Sequence, residues 1–178
     1  LKHMIADLNL DEVYTIMETK SNDTLSKIPE GTLTNLQTTG TAMMFFAKRC
    51  VLGDSTGIGK TVEVAALCNL LETIYYNKGK DFKFLYLTEK TLIPQTQEKL
   101  IRFTGNYIQD LYGEKRFVQK FVDENYESLQ YSVVGAHSLL TNDIFQTYLS
   151  SFYSDTGTCP FDLLVIDESG SVLANTKT

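Results

Sequence analysis

Leu52-Gly53-Asp54-Ser55-Thr56-Gly57-Ile58-Gly59-Lys60-Thr61 decides the fold. The stretch follows a short apolar run, Cys50-Val51-Leu52, and opens a helical pattern over Thr61 to Asn77. Glycines let the backbone turn tightly and aim several N–H groups at one anion. The following helix start adds partial positive charge. In that setting Gly57, Ile58 and Gly59 would cradle phosphates, Lys60 would reach the β- and γ-phosphates of ATP, and the Thr61 hydroxyl would ligate Mg²⁺. The strict form GxxxxGK[ST] asks for glycine where Asp54 stands, so the match is to a relaxed form, D-x-x-G-x-G-K-T. The plainer reading is a glycine-rich turn that happens to precede a lysine.

Outward from this loop, strands and helices alternate. Leu33 to Lys48 reads as a helix with Leu33, Leu36, Met43, Met44 and Phe46 apolar. Val64, Leu67, Cys68, Leu71 and Tyr75 mark one face of the helix after the loop. Phe82–Leu87 is a strand, Pro94 starts a helix to about Phe103, and Tyr107–Leu111 is a second strand. Glu114–Asn125 is helical with Phe117, Val118, Phe121 and Val122 inward; Tyr131–Val134 is a strand and Asn142–Phe152 a helix. Phe161–Ile166 is a strand whose run Leu163–Ile166 fits burial on both sides. Such alternation implies an α/β fold, a parallel sheet with helices on both faces. Ahead of it, Ile5 to Glu30 is only loosely periodic, and Ser21-Asn22-Asp23-Thr24 reads as a loop or a helix start. Leu1-Lys2-His3-Met4 reads as a cloning remnant before a native Met4. The expected division is a 1–32 extension and a 33–178 domain.

The last strand ends in Asp167-Glu168. After a phosphate loop, such a pair forms the second half of an ATPase site: Asp167 would hold Mg²⁺ and Glu168 would activate the attacking water. Alone, an acidic strand end is common; both motifs, in this order, make coincidence unlikely. The 178 residues suit one domain, 43% of them hydrophobic and 21% charged, enough for a real core. Lysine and arginine total 16 against 22 acidic residues, a net charge of −6, so nucleic acid would need a local basic patch or backbone amides. No window approaches a membrane span, and no signal peptide is expected. Cys50, Cys68 and Cys159 lie far apart without a CxxC pair, against a disulfide frame or zinc site and for a reducing compartment. Cys50 and Cys68 read as core residues, and His137 as a loop or core histidine. The Lys78, Lys80 and Lys83 cluster reads as a solvated turn. Lys99 and Arg102 are weak phosphate candidates.

Over about Leu33 to Thr178 the sequence resembles the superfamily-two helicases and translocases, most of all the Swi–Snf and strawberry-notch-like branches. Leu33-Thr34-Asn35-Leu36-Gln37-Thr38-Thr39-Gly40 resembles their adenine motif, which implies that Gln37 reads the base. The Leu52–Thr61 loop resembles motif I, including its aspartate. Leu85-Tyr86-Leu87-Thr88-Glu89-Lys90-Thr91-Leu92 resembles motif Ia, Val133 to Leu139 stands at motif Ib, and Asp167-Glu168-Ser169-Gly170 resembles motif II. Val172 to Lys177 is similar to the stretch after that box. The resemblance implies a RecA-like lobe that binds ATP and Mg²⁺, partners nucleic acid (DNA ahead of RNA) and works with a second lobe beyond this stretch. It implies helicase-type ATP hydrolysis, weak or absent in one lobe alone. The expected location is a cytoplasm, with a bacterial or phage-infected host cell favoured, and the Tyr, Asn and Thr content with the divergent motifs suggests a viral source.

Three departures accompany it. Gly170 replaces the usual last His or Asp of motif II, Val134 and Gly135 replace threonines of motif Ib, and only eight residues follow Gly170. Two other readings stand beside it: another phosphate-loop NTPase, such as a packaging motor, and a degenerate lobe that serves as a binding scaffold.

Overall fold

This computed structural model describes residues 9–25, 33–47, 49–50 and 59–167. The strand expected at Cys50-Val51-Leu52, the loop residues Gly57 and Ile58, and everything from Glu168 onward lie outside them, Cys50 excepted. The chain divides into two compact units: residues 1–82 with 99–106, and residues 83–98 with 107–178.

The first unit is helical. Helix α1 (Leu10–Leu25) starts at a reciprocal cap. Asn9 Oδ1 accepts from the Glu12 N–H at 2.9 Å, and Glu12 Oε2 accepts from the Asn9 N–H at 2.9 Å. The helix runs through Ser21 to Thr24, where a break was expected. Such residues cost only tenths of a kcal/mol each in a helix interior, about 0.7 at most, so tertiary packing overrides them. Val13 and Met17 are its buried anchors.

Helix α2 (Asn35–Ala47) also opens on a reciprocal cap, between Thr34 and Gln37. Its buried side is Thr41, Ala42, Met44 and Phe45; Leu36, Met43 and Phe46 are exposed, so hydrophobicity alone does not mark this face. Helix α3 (Lys60–Asn77) carries the expected buried Val64, Leu67, Cys68, Leu71 and Tyr75. Burial nevertheless continues without a break from Glu63 to Leu71 rather than along one stripe. A helix apolar nearly all round is a central one, and both α1 and α2 pack against α3. Asn69 Nδ2 also donates to the Phe103 carbonyl at 3.0 Å. Lys78 and Lys80 are exposed in the turn that ends α3.

The second unit holds a four-stranded parallel sheet in the order β2-β3-β1-β4. Its strands are β1 (Phe84–Thr88), β2 (Ile108–Leu111), β3 (Ser132–Ala136) and β4 (Leu163–Ile166). Helix α4 (Ile93–Thr104) follows β1 through a 3-10 turn, α5 (Lys115–Asn125) follows β2, and α6 (Asp143–Thr156) follows β3 and a second 3-10 turn (His137–Thr141). The central strands β1 and β3 are buried along their whole length. Strand β4 alternates instead, with Leu164 and Ile166 exposed, which corrects the expectation of burial on both sides. It is an edge strand of the described sheet, so it lacks one flank that β1 and β3 possess. Its start is pinned to β1: Lys83 N donates to Asp162 Oδ2 at 2.9 Å, and Asp162 N donates to the Lys83 carbonyl at 2.7 Å.

The core of this unit is aromatic. Phe121, Phe145, Tyr148 and Phe161 pack with Leu85, Leu87, Val118 and Val133. Phe121 and Tyr148 meet edge to face, ring centroids 5.9 Å apart. This burial pushes the Tyr148 hydroxyl up to about 12. Phe117 is exposed, against expectation, and its ring lies under the Arg116 guanidinium at 4.4 Å.

Candidate nucleotide-binding site

In the first unit the candidate residues gather at the start of α3. Gly59 precedes the helix at φ 88°, in the left-handed region where a side chain is strained. Its carbonyl accepts from Val62 N at 2.7 Å and from Glu63 N at 3.2 Å, which closes the first turn. Lys60 and Thr61 are the first two helical residues, both half-buried. A helix start of this kind favours anions through its unpaired N–H groups and its dipole.

Gln37 belongs to the same group. A Cβ added at Gly59 would stand 2.8 Å from Gln37 Nε2. Gln37 and Gly59 are therefore in contact, and glycine is required at position 59 by both space and φ. Gln37 Oε1 accepts from the Thr34 N–H at 3.0 Å, and Thr34 Oγ1 accepts from the Gln37 N–H at 3.3 Å. The cap fixes the glutamine side chain and was legible as Thr34-Asn35-Leu36-Gln37, a capping-box pattern that the sequence reading passed over.

In the second unit Asp167 ends β4. The following bonds are among those that hold it. Its N–H donates to the Leu87 carbonyl at 2.8 Å. Its Oδ2 accepts from the Tyr86 hydroxyl at 2.8 Å. Its carbonyl lies 2.7 Å from His137 Nε2; a carbonyl only accepts, so Nε2 carries the proton. Tyr86 is 1% exposed, which makes its hydroxyl a fixed donor. A carboxylate restrained at main chain and side chain is held in one orientation. Sequence reasoning missed Tyr86, because its partner is across the sheet, and gave His137 only a bland place. The loop at β3 is further tied by Asn142 Nδ2, which donates to the Gly113 carbonyl at 3.1 Å.

Other readings are settled more simply. Cys68 is buried, and burial and Glu72 push its thiol up, so it is an inert core group. Cys50 is exposed, not a core residue, and it falls outside every described helix and strand. Lys99 and Arg102 are exposed on α4. Val134 and Gly135 are buried inside β3. Among the described residues there is no cluster of His, Cys, Asp and Glu that could hold a metal alone. None of the described helices is long and apolar enough to cross a membrane.

A parallel sheet with alternating helices, a left-handed glycine opening a Lys-Thr helix start, and an anchored strand-end aspartate define a RecA-like phosphate-loop lobe of the superfamily-two helicase type. Residues 30–176 match the family described as type III restriction enzyme, res subunit, and the chain belongs to that family. The match does not single out a Swi–Snf or strawberry-notch branch. A comparison with characterised proteins finds no match.

Proposed function

We propose that residues 33–178 form the ATP-binding first lobe of a DNA-dependent ATPase, a helicase or double-strand translocase that works with a second lobe, and that residues 1–32 are an extension to it. The observation that carries this reading is Gly59 at φ 88° against Gln37, opening the helix that begins Lys60-Thr61. In this reading Gly57, Ile58, Gly59 and Lys60 bind phosphate, Thr61 and Asp167 serve Mg²⁺, Gln37 selects adenine and Glu168 is the water-activating base. ATP bound with Mg²⁺ supplies the phosphoryl group, and Lys60 neutralises charge that develops on it. The family's description as part of a restriction enzyme supports DNA over RNA. The chain itself is acidic, so contact with DNA falls to local groups rather than to net charge.

Linkage between the two ligands tests the reading. Duplex DNA should tighten Mg²⁺-ATP binding, and ATP should tighten DNA binding by the same factor. A coupling factor of one, measured in both directions on a folded protein that includes the second lobe, would refute DNA-coupled ATP binding.

A further inference from the structure

Glu63 is an ionisable residue with no role in the site described above, yet it is fully buried, at 0% exposure. Burying a carboxyl is costly unless the surroundings are built for it. It stands one turn beyond Lys60, on the same side of α3. Its carboxyl lies directly against Gly40 of α2: a Cβ at Gly40 would meet Glu63 Cδ and Oε2 at 3.2 Å and Oε1 at 3.3 Å. The neighbouring Thr41, also fully buried, bridges the same junction. Its hydroxyl reaches the Gln37 carbonyl at 2.8 Å and the Glu63 carbonyl at 3.3 Å. Gln37 in turn abuts Gly59. One continuous set of contacts thus runs from the phosphate-loop helix, through Glu63, Gly40 and Thr41, back to Gln37 and Gly59.

We infer that Glu63 is a positioning residue for base selection: its buried carboxyl, seated on Gly40, sets the spacing between the helix that bears Gln37 and the helix that bears Lys60. This rests on the reading of Gln37 as the adenine reader and Lys60 as the phosphate ligand. Gly40 is glycine because the carboxyl occupies the space of a side chain. A methyl group there would stand 3.2–3.3 Å from the Glu63 carboxyl, so the carboxyl, or the helix that carries it, must give by a few tenths of an ångström. Phosphate groups tolerate such a shift because they are held by charge and several amides. A hydrogen bond from Gln37 to a base edge does not, since such bonds weaken steeply with distance and angle.

Gly40→Ala is the test, because alanine in a helix interior favours folding by about 1 kcal/mol over glycine, so a defect cannot be put down to a weakened helix. Mg²⁺-ATP, Mg²⁺-GTP and Mg²⁺-tripolyphosphate are titrated into wild type, Gly40→Ala, and Gly40→Ala combined with Glu63→Asp, which withdraws the carboxyl by one methylene. The expected result is a preference for ATP over GTP that falls about tenfold in Gly40→Ala, the worth of one hydrogen bond. Tripolyphosphate affinity should stay within about twofold, and the Glu63→Asp background should restore most of the preference. An unchanged preference in Gly40→Ala overturns the inference. Equal losses for all three ligands, or no restoration in the double variant, also overturn it, because they mark general disruption. A wild type that binds nucleotide without preferring ATP removes the role of Gln37, and the inference with it. A folded wild type that binds none of the three refutes the proposed function itself.

Discussion

Tyr86→Phe removes one oxygen atom from the middle of the sheet and leaves the ring in place. Tyr86 is 1% exposed and its hydroxyl donates to Asp167 Oδ2 at 2.8 Å. A hydrogen bond to a charged group contributes about 1.5–3 kcal/mol, against about 1 kcal/mol for a neutral pair. Asp167 is half-buried, so water can replace part of the lost bond, and the cost should fall near the lower end, about 1.5 kcal/mol. The carboxylate then loses the Tyr86 donor, while its main-chain bonds to Leu87 and His137 survive. Urea unfolding of wild type, Tyr86→Phe, Asp167→Asn and the double variant gives the coupling energy directly. The expected coupling is about 1 kcal/mol or more, with the Tyr86→Phe effect largely absent once Asp167 is gone. Additive losses, with coupling near zero, would refute the claim that Tyr86 fixes this carboxylate.

Further outcomes follow from the same geometry. Asn142 caps α6 by accepting from the Phe145 N–H at 3.1 Å and also donates to the Gly113 carbonyl; Asn142→Ala should cost about 1–2 kcal/mol in urea unfolding. A thiol reagent at pH 8 should label Cys50 and Cys159 quickly and Cys68 only on unfolding, because Cys68 is buried with its thiol pushed up; three equally fast thiols would contradict the packing of α3. Burial lifts the Tyr148 hydroxyl to about 12 from its ordinary 10. The unfolded chain therefore loses that proton first, and stability should fall as pH rises from 10 towards 12, with the loss removed in Tyr148→Phe.

Periodicity sufficed to place most elements along the chain. The helix after the phosphate loop, the strands at Phe84–Thr88 and Ser132–Ala136, and the helix capped by Asn142 lie within a few residues of where the pattern places them. The reading failed where burial depends on partners distant in sequence. Thr41 and Glu63 are polar yet fully buried, while Leu36 and Met43 are apolar yet exposed, because the crossing of α2 on α3 decides which side is inward. Strand β4 looks doubly buried by composition, but Leu164 and Ile166 face outward at the edge of the described sheet. At the candidate site, Lys60, Thr61 and Asp167 were legible because a local motif names each. Tyr86 and His137 were not, since their bonds to Asp167 span 81 and 30 residues. Gly40 was legible as a motif glycine, but its reason, a buried carboxyl 23 residues away, is visible only in three dimensions.

The central claim is that the helix start at Gly59-Lys60-Thr61 holds the phosphates of ATP. Calorimetric titration of Mg²⁺-ATP into this chain, beside a folded Lys60→Ala variant, tests it most directly. The account predicts saturable, Mg²⁺-dependent heat with the wild type and none with Lys60→Ala. Equal binding by both proteins would contradict it.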